Sequence, residues 1–241
     1  MSRHSDIPWR QLIAEGIAIV ASILLAFAID AWWDDRQDRR DEQVMLASLH
    51  DEFAVIKSAL EADMERHQQN LASLKTLLQR MDGDLRGDEA AVIEAAFLEL
   101  LSPRTTDLGS GALEALLGSG RLELIESASL RAKIAGWPGM IYEVWDDQAS
   151  NAKMVFDTYI PYFVRADWPA GAAMRGWYPE WDIPERSLAD YPELVDDILR
   201  DSRFRTLVEL RYGYKVHLTE EFEEAIAAAE AILADIEASR R

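Results

Sequence analysis

The sequence predicts an all-α protein, in which a single N-terminal transmembrane helix continues into a long helix and an elongated antiparallel helical bundle follows. Three observations predict it. Leu12 to Trp33, LIAEGIAIVASILLAFAIDAWW, is an almost uninterrupted apolar run in a chain that otherwise carries 44 acidic and 25 basic residues. Asp34 to Asp82 contains no proline or glycine and repeats its apolar residues at helical spacing. Ser202 to Ala238 carries a second such pattern, long enough to run back along the first. The organisation expected is a polar leader over 1–10, a membrane helix over 11–33 and a helical-bundle domain over 34–241, with an aromatic loop near 167–192.

The leader holds Arg3, His4 and Arg10. The run after it, as a helix rising 1.5 Å per residue, is about 33 Å long, which matches a bilayer's hydrocarbon core. Trp9 before it and Trp32 and Trp33 after it stand where an interfacial aromatic belt belongs. Glu15 and Asp30 sit at the edges of the apolar zone. The clean stretch between them, Gly16 to Ile29, also has the length of a signal-peptide core, and Ala26-Phe27-Ala28 has the form of a cleavage site. The tryptophan pair and the lack of any wide polar face favour a retained span over cleavage or a soluble helix.

Ala14, Ala18, Ser22, Ala26 and Asp30 recur every four residues along this helix. Small side chains at that spacing let membrane helices approach closely, so a homo-oligomer is expected. Ionisable groups at such depth face a partner or water. An oligomeric pore lined by Glu15 and Asp30 is one alternative, and a plain tether whose acids snorkel to the headgroups is another. The arginine count near the ends is a tie, Arg3 and Arg10 with the amino terminus against Arg36, Arg39 and Arg40. A short leader before a long domain sets the expected orientation, with the C-terminal domain exported. The absence of cysteine fits either side of the membrane.

Beyond the span, Leu46, Leu49, Phe53, Ile56, Leu60, Met64, Leu71, Leu74, Leu78 and Met81 form a seam of alternating three- and four-residue steps, with His67 completing it. One step of four at Leu60–Met64 reads as a stutter in a coiled coil. His67 in this seam is either a pH-sensitive contact or a polar residue that fixes register. Asp82 to Asp88 resembles a calcium loop in its first residues. Arg86 at the fifth position and Ile93 at the twelfth break the ligand pattern, which leaves a solvated turn. A helix is expected from Asp88 to Leu101, ended by Ser102-Pro103.

In Thr105 to Trp137, two Gly-Ser-Gly turns bracket a short helix and Ser127 caps the next one. Those glycines follow no strand and precede no Gly-Lys-Ser, so they punctuate helices rather than cradle phosphate. Leu116-x-x-Ser119-Gly120-x-Leu122-x-Leu124-Ile125, with Leu130-Arg131 shortly after, forms one motif. Glu15 followed by Ala26-x-x-Ile29-x-x-x-Trp33-x-x-Arg36 forms another. Together they resemble a domain-of-unknown-function family of bacterial membrane proteins, in which one N-terminal span precedes a mostly helical domain. The resemblance implies a retained anchor in the bacterial inner membrane and an all-helical domain. It carries no activity, substrate or catalytic residue.

Pro138 is expected to break the chain before a helix over Met140 to Ala166, which Pro161 kinks or ends. Asp167 to Pro192 is irregular, and Trp168, Trp177, Tyr178 and Trp181 are its candidate binding surface for a peptide or other ligand. The competing reading packs these rings against the helices. In the last helix Leu207, Leu210, Tyr214, Phe222, Ile226, Ala229, Leu233 and Ile236 make the second seam, and Glu220, Glu221, Glu223 and Glu224 its acidic outer face.

A net charge of −19 argues against nucleic-acid binding. His4, His50, His67 and His217 show no H-x-x-x-H or H-E-x-x-H spacing, and the acidic pairs Asp146-Asp147 and Asp196-Asp197 read as solvated faces. No catalytic residue, cofactor or metal site is therefore expected. The partners expected are the lipid bilayer, a second copy of the chain, and a protein or peptide. A ligand- or peptide-binding sensor domain is the alternative function.

Overall fold

The computed structural model describes residues 9–83, 89–101, 106, 108–168, 171, 180, 182 and 190–240. It is all-α, with no strand among the described residues. α1 (Trp9–Met81) is one helix of 73 residues, about 110 Å long, so the apolar run and the first seam are continuous. α2 (Glu89–Leu100), α3 (Gly111–Ser119), a 3₁₀ turn (Arg121–Leu124), α4 (Ala128–Met154), a π turn (Val155–Tyr159) and α5 (Ile160–Arg165) follow. α6 (Pro192–Arg200) and α7 (Ser202–Ser239) complete the chain.

Three long elements make the bundle. Along α1 and α7, Gln43 meets Ser239, Lys57 meets Glu230, His67 meets Lys215 and Asp82 meets Arg205. The partner's number falls as α1's rises, so the pair is antiparallel over its whole length. α4 also runs against α7, through Lys133–Asp235 and Asn151–Arg211, and therefore lies parallel to α1.

The core has two parts stacked along this axis. The part nearer the apolar run of α1 joins Leu46, Phe53, Leu60, Trp137, Phe222 and Ile236 with their neighbours. The distal part gathers Leu74, Phe97, Tyr159, Phe163, Phe204 and Val208. Phe97 lies edge-on to Phe163 at 4.6 Å and stacked on Phe204 at 5.1 Å, arrangements that ring quadrupoles favour.

Local sequence explains the helix ends. Ser127 Oγ accepts from Leu130 N at 3.2 Å and caps α4 as expected, and Asp201 accepts from Arg203 N at 2.8 Å at the start of α7. Gly120 ends α3 at φ +69°, a conformation that glycine adopts without a Cβ clash. Ser110 gives α3 no side-chain cap; the Glu52 carboxylate of α1 instead accepts from Ala112 N and Leu113 N, at 2.5 and 3.2 Å.

Three expectations need correction. The seam on α1 has no stutter: after Leu60 the buried positions are His67, Asn70, Leu74 and Leu77, while Leu71 and Leu78 are half-buried. The seven-residue repeat holds because polar residues fill the turns that an apolar reading skips. On α7 the buried face is Phe204, Val208, Arg211, Lys215 and Leu218, and Leu210 is 56% exposed. Pro138 lies inside α4 rather than breaking it. Its ring faces solvent, and buried Ile134 and Trp137 before it and Ile141 and Val144 after it hold the helix on both sides. Of the two outcomes expected at Pro161, a kink or an end, the end does not occur: Pro161 falls in the first turn of α5, where its missing N–H is not needed, directly after the π turn.

Candidate functional site

Every described side chain from Glu15 to Arg40 is exposed. Ile17, Ile19, Val20, Ile23, Leu24, Leu25, Phe27 and Ile29 each leave half to two-thirds of their surface uncovered. By length and composition α1 is the one described helix apolar enough to cross a membrane. Ala18, Ser22, Ala26 and Asp30 share a face at four-residue steps, and Ser22 Oγ donates to Ala18 O at 2.8 Å. That bond satisfies the hydroxyl within the helix. Glu15 and Asp30, fifteen residues apart in sequence, are separated by about 22 Å along the axis, less than the roughly 30 Å thickness of a bilayer's hydrocarbon core. Trp32 and Trp33 lie 6.0 Å apart, and the Arg36 guanidinium sits 5.8 Å from the Trp32 ring. Trp9 and Ala14 are within α1, but their side chains lie outside the described residues.

The aromatic loop is represented by Trp168. Its ring is half-buried, stacked on Phe97 at 3.8 Å and tilted against Phe163 at 5.7 Å, so it belongs to the distal core. Trp177, Tyr178 and Trp181 lie outside the described residues.

Between the two apolar cores lies a polar layer of which the seam pattern held only His67. Arg211 is fully buried; it donates to Asn151 Oδ1, to Asn151 O at 3.3 Å and to Glu99 O at 3.4 Å, with its charge 5.7 Å from the Tyr159 ring. Burial pulls its pKa down to about 10. One turn on, Lys215 Nζ lies 2.8 Å from His67 Nδ1, and the His67 ring leans on Phe222 at 5.0 Å. Gln148 completes the layer, accepting from Thr106 N at 2.8 Å and donating to its hydroxyl at 2.7 Å, while that hydroxyl donates to Asp63. Tyr159 donates to Leu207 O at 2.7 Å, and desolvation raises its pKa well above the ordinary value.

Beside this layer, Asp147 of α4 faces His217 and Glu221 of α7. His217 Nε2 is 3.4 Å from Asp147 Oδ2 and 3.5 Å from Glu221 Oε1. Both carboxylates are about four-fifths buried, whereas His217 is 61% exposed. Burial, and then the Asp147 charge, push the Glu221 carboxyl above its ordinary range. Asp147 and Glu221 thus leave the solvated faces to which sequence assigned them. The signal present in the sequence was His217-x-x-x-Glu221, two ligand-type residues one helical turn apart; the third member, from another helix, had none.

Comparison with known proteins adds no assignment: no family model, curated protein or solved structure matches this chain.

Proposed function

We propose that this chain is a single-span protein of the bacterial inner membrane that self-associates through the Ala14, Ala18, Ser22 and Ala26 face. Its helical bundle, on the periplasmic side, is the surface that meets a protein or peptide partner. The role is structural or interaction-based, without catalysis. One observation carries the reading: the bundle buries its apolar residues in two ordered cores, yet eight large apolar side chains between Glu15 and Asp30 are uncovered. Burying them is worth on the order of 10–20 kcal/mol, a quantity that lipid or a second helix supplies and water does not. The continuity of α1 supports the same reading, since movement or clustering of the membrane segment passes directly into the bundle.

The absence of cysteine allows a clean test. Ala238→Cys, at the exposed end of α7, introduces one labelling site near the membrane surface. Membranes washed with alkaline carbonate retain the protein, and an impermeant maleimide labels the cysteine from the periplasmic side in intact cells. Release into the carbonate wash refutes the span, and labelling only after lysis refutes the orientation.

A further inference from the structure

The antiparallel packing of α4 on α7 places three ligand-type side chains at one point. His217 and Glu221 share a face of α7 because they are four residues apart, and Asp147 projects at them from α4. We infer that Asp147, His217 and Glu221 form a zinc(II) site that ties α4 to α7. This goes beyond the proposed anchoring role and is independent of it.

Geometry carries the inference first. Tetrahedral zinc, with nitrogen and oxygen ligands at about 2.0–2.2 Å, places neighbouring donor atoms about 3.3–3.5 Å apart. His217 Nε2 stands 3.4 Å from Asp147 Oδ2 and 3.5 Å from Glu221 Oε1, and the three donor atoms lie within 4.8 Å of one another. A modest closure of Asp147 and Glu221 about the ion completes three ligands. The imidazole selects zinc over magnesium or calcium, which take oxygen donors.

Unmet valence carries it second. Asp147 Oδ2 and Glu221 Oε2 are shielded from water and accept no hydrogen bond; His217 Nε2 approaches Asp147 Oδ2 only to the 3.4 Å of an ion pair. Buried carboxylate oxygens without donors are costly, and two facing carboxylates more so. A divalent cation between them supplies both missing interactions.

The outer contacts have the arrangement that metal-bound groups use. With Nε2 turned inward, His217 Nδ1 lies 4.0 Å from Glu220 Oε2, within ion-pair but not hydrogen-bond distance, and the Tyr214 hydroxyl approaches Asp147 Oδ1 at 3.4 Å. The exposed edge of His217 leaves the fourth position to water and gives the ion an entry path.

The test uses the purified full chain in detergent micelles, stripped of metal and titrated with Co²⁺ and then Zn²⁺. The expected result is one Co²⁺ per chain with the strong visible absorption of tetrahedral cobalt, bleached by one equivalent of Zn²⁺. His217→Ala and Glu221→Gln each weaken Zn²⁺ binding by at least about tenfold. Glu224→Gln, on the exposed side of α7, leaves it unchanged. Zn²⁺ raises the Tm of the parent chain and not that of His217→Ala. Weak octahedral cobalt absorption, or several equivalents bound equally by the parent and His217→Ala, overturns the inference: the acidic surface then merely collects cations, and His217 only bridges two carboxylates.

Discussion

Phe204→Ala and Leu210→Ala make a paired test of how α7 is turned. Both residues are large and apolar, and the spacing of the sequence assigns Leu210 to the core. In the structure Phe204 is fully buried, stacked on Phe97 at 5.1 Å and on Tyr162 at 5.7 Å, with Phe163 edge-on at 6.2 Å. Truncating a buried phenylalanine costs about 3–5 kcal/mol, and the ring pairs lost here place Phe204→Ala in the upper part of that range. Leu210 is 56% exposed, so its loss changes stability by no more than about 0.5 kcal/mol. Urea unfolding of the full chain in mild detergent, followed by far-ultraviolet circular dichroism, reads the difference. With a slope of about 2–3 kcal/mol per molar urea, Phe204→Ala lowers the midpoint by about 1.5–2 M. Leu210→Ala leaves it within about 0.2 M. Equal losses, or a larger loss for Leu210→Ala, refute the rotation of α7 and the polar layer that depends on it.

Pro138→Ala restores a helix N–H on the solvent face of α4 and stabilises the chain by about 1–3 kcal/mol in the same assay; an unchanged or lower midpoint contradicts that. Asp201 is held below its ordinary carboxylate value, first by the Tyr162 hydroxyl at 2.7 Å and further by the backbone N–H of Arg203. A lowered folded-state value adds stability that is complete above the unfolded value near 4 and is lost as pH falls through the folded value. Asp201→Asn therefore flattens the decline in stability below about pH 4 while keeping an N-cap residue; an unaltered acid limb counts against the Tyr162–Asp201 contact.

Helix existence was legible wherever a periodic run lay between punctuators. Ser127, Gly120 and the proline-free stretch from Asp34 marked ends and continuity that the structure has. Helix rotation was not legible at the bundle's middle. There the buried residues are His67, which the seam did include, and Arg211, Lys215, Asn70 and Asn151, and a pattern built on apolar side chains slides past these last four onto Leu71, Leu78 and Leu210. Nothing in a single sequence says that a lysine is buried; its partners come from helices far away in the chain. Pro138 was misread for a related reason, since the packing of Trp137 and Ile141 on the neighbouring helices outweighs a local penalty. Of the site residues, the apolar run and its small-residue face were visible in the sequence, while Asp147 met His217 and Glu221 only through the pairing of α4 with α7.

The central claim is that the small-residue face of α1 joins copies of the chain in the membrane. Its most direct test is the mass of the full-length protein in mild detergent or nanodiscs, beside Ser22→Leu. Ser22 stands mid-face with its hydroxyl turned back onto Ala18, and leucine there keeps the segment apolar while holding two helices apart. A defined oligomer for the parent chain and a monomer for Ser22→Leu is the predicted result. A parent chain that is already monomeric, or an oligomer that Ser22→Leu leaves intact, contradicts it.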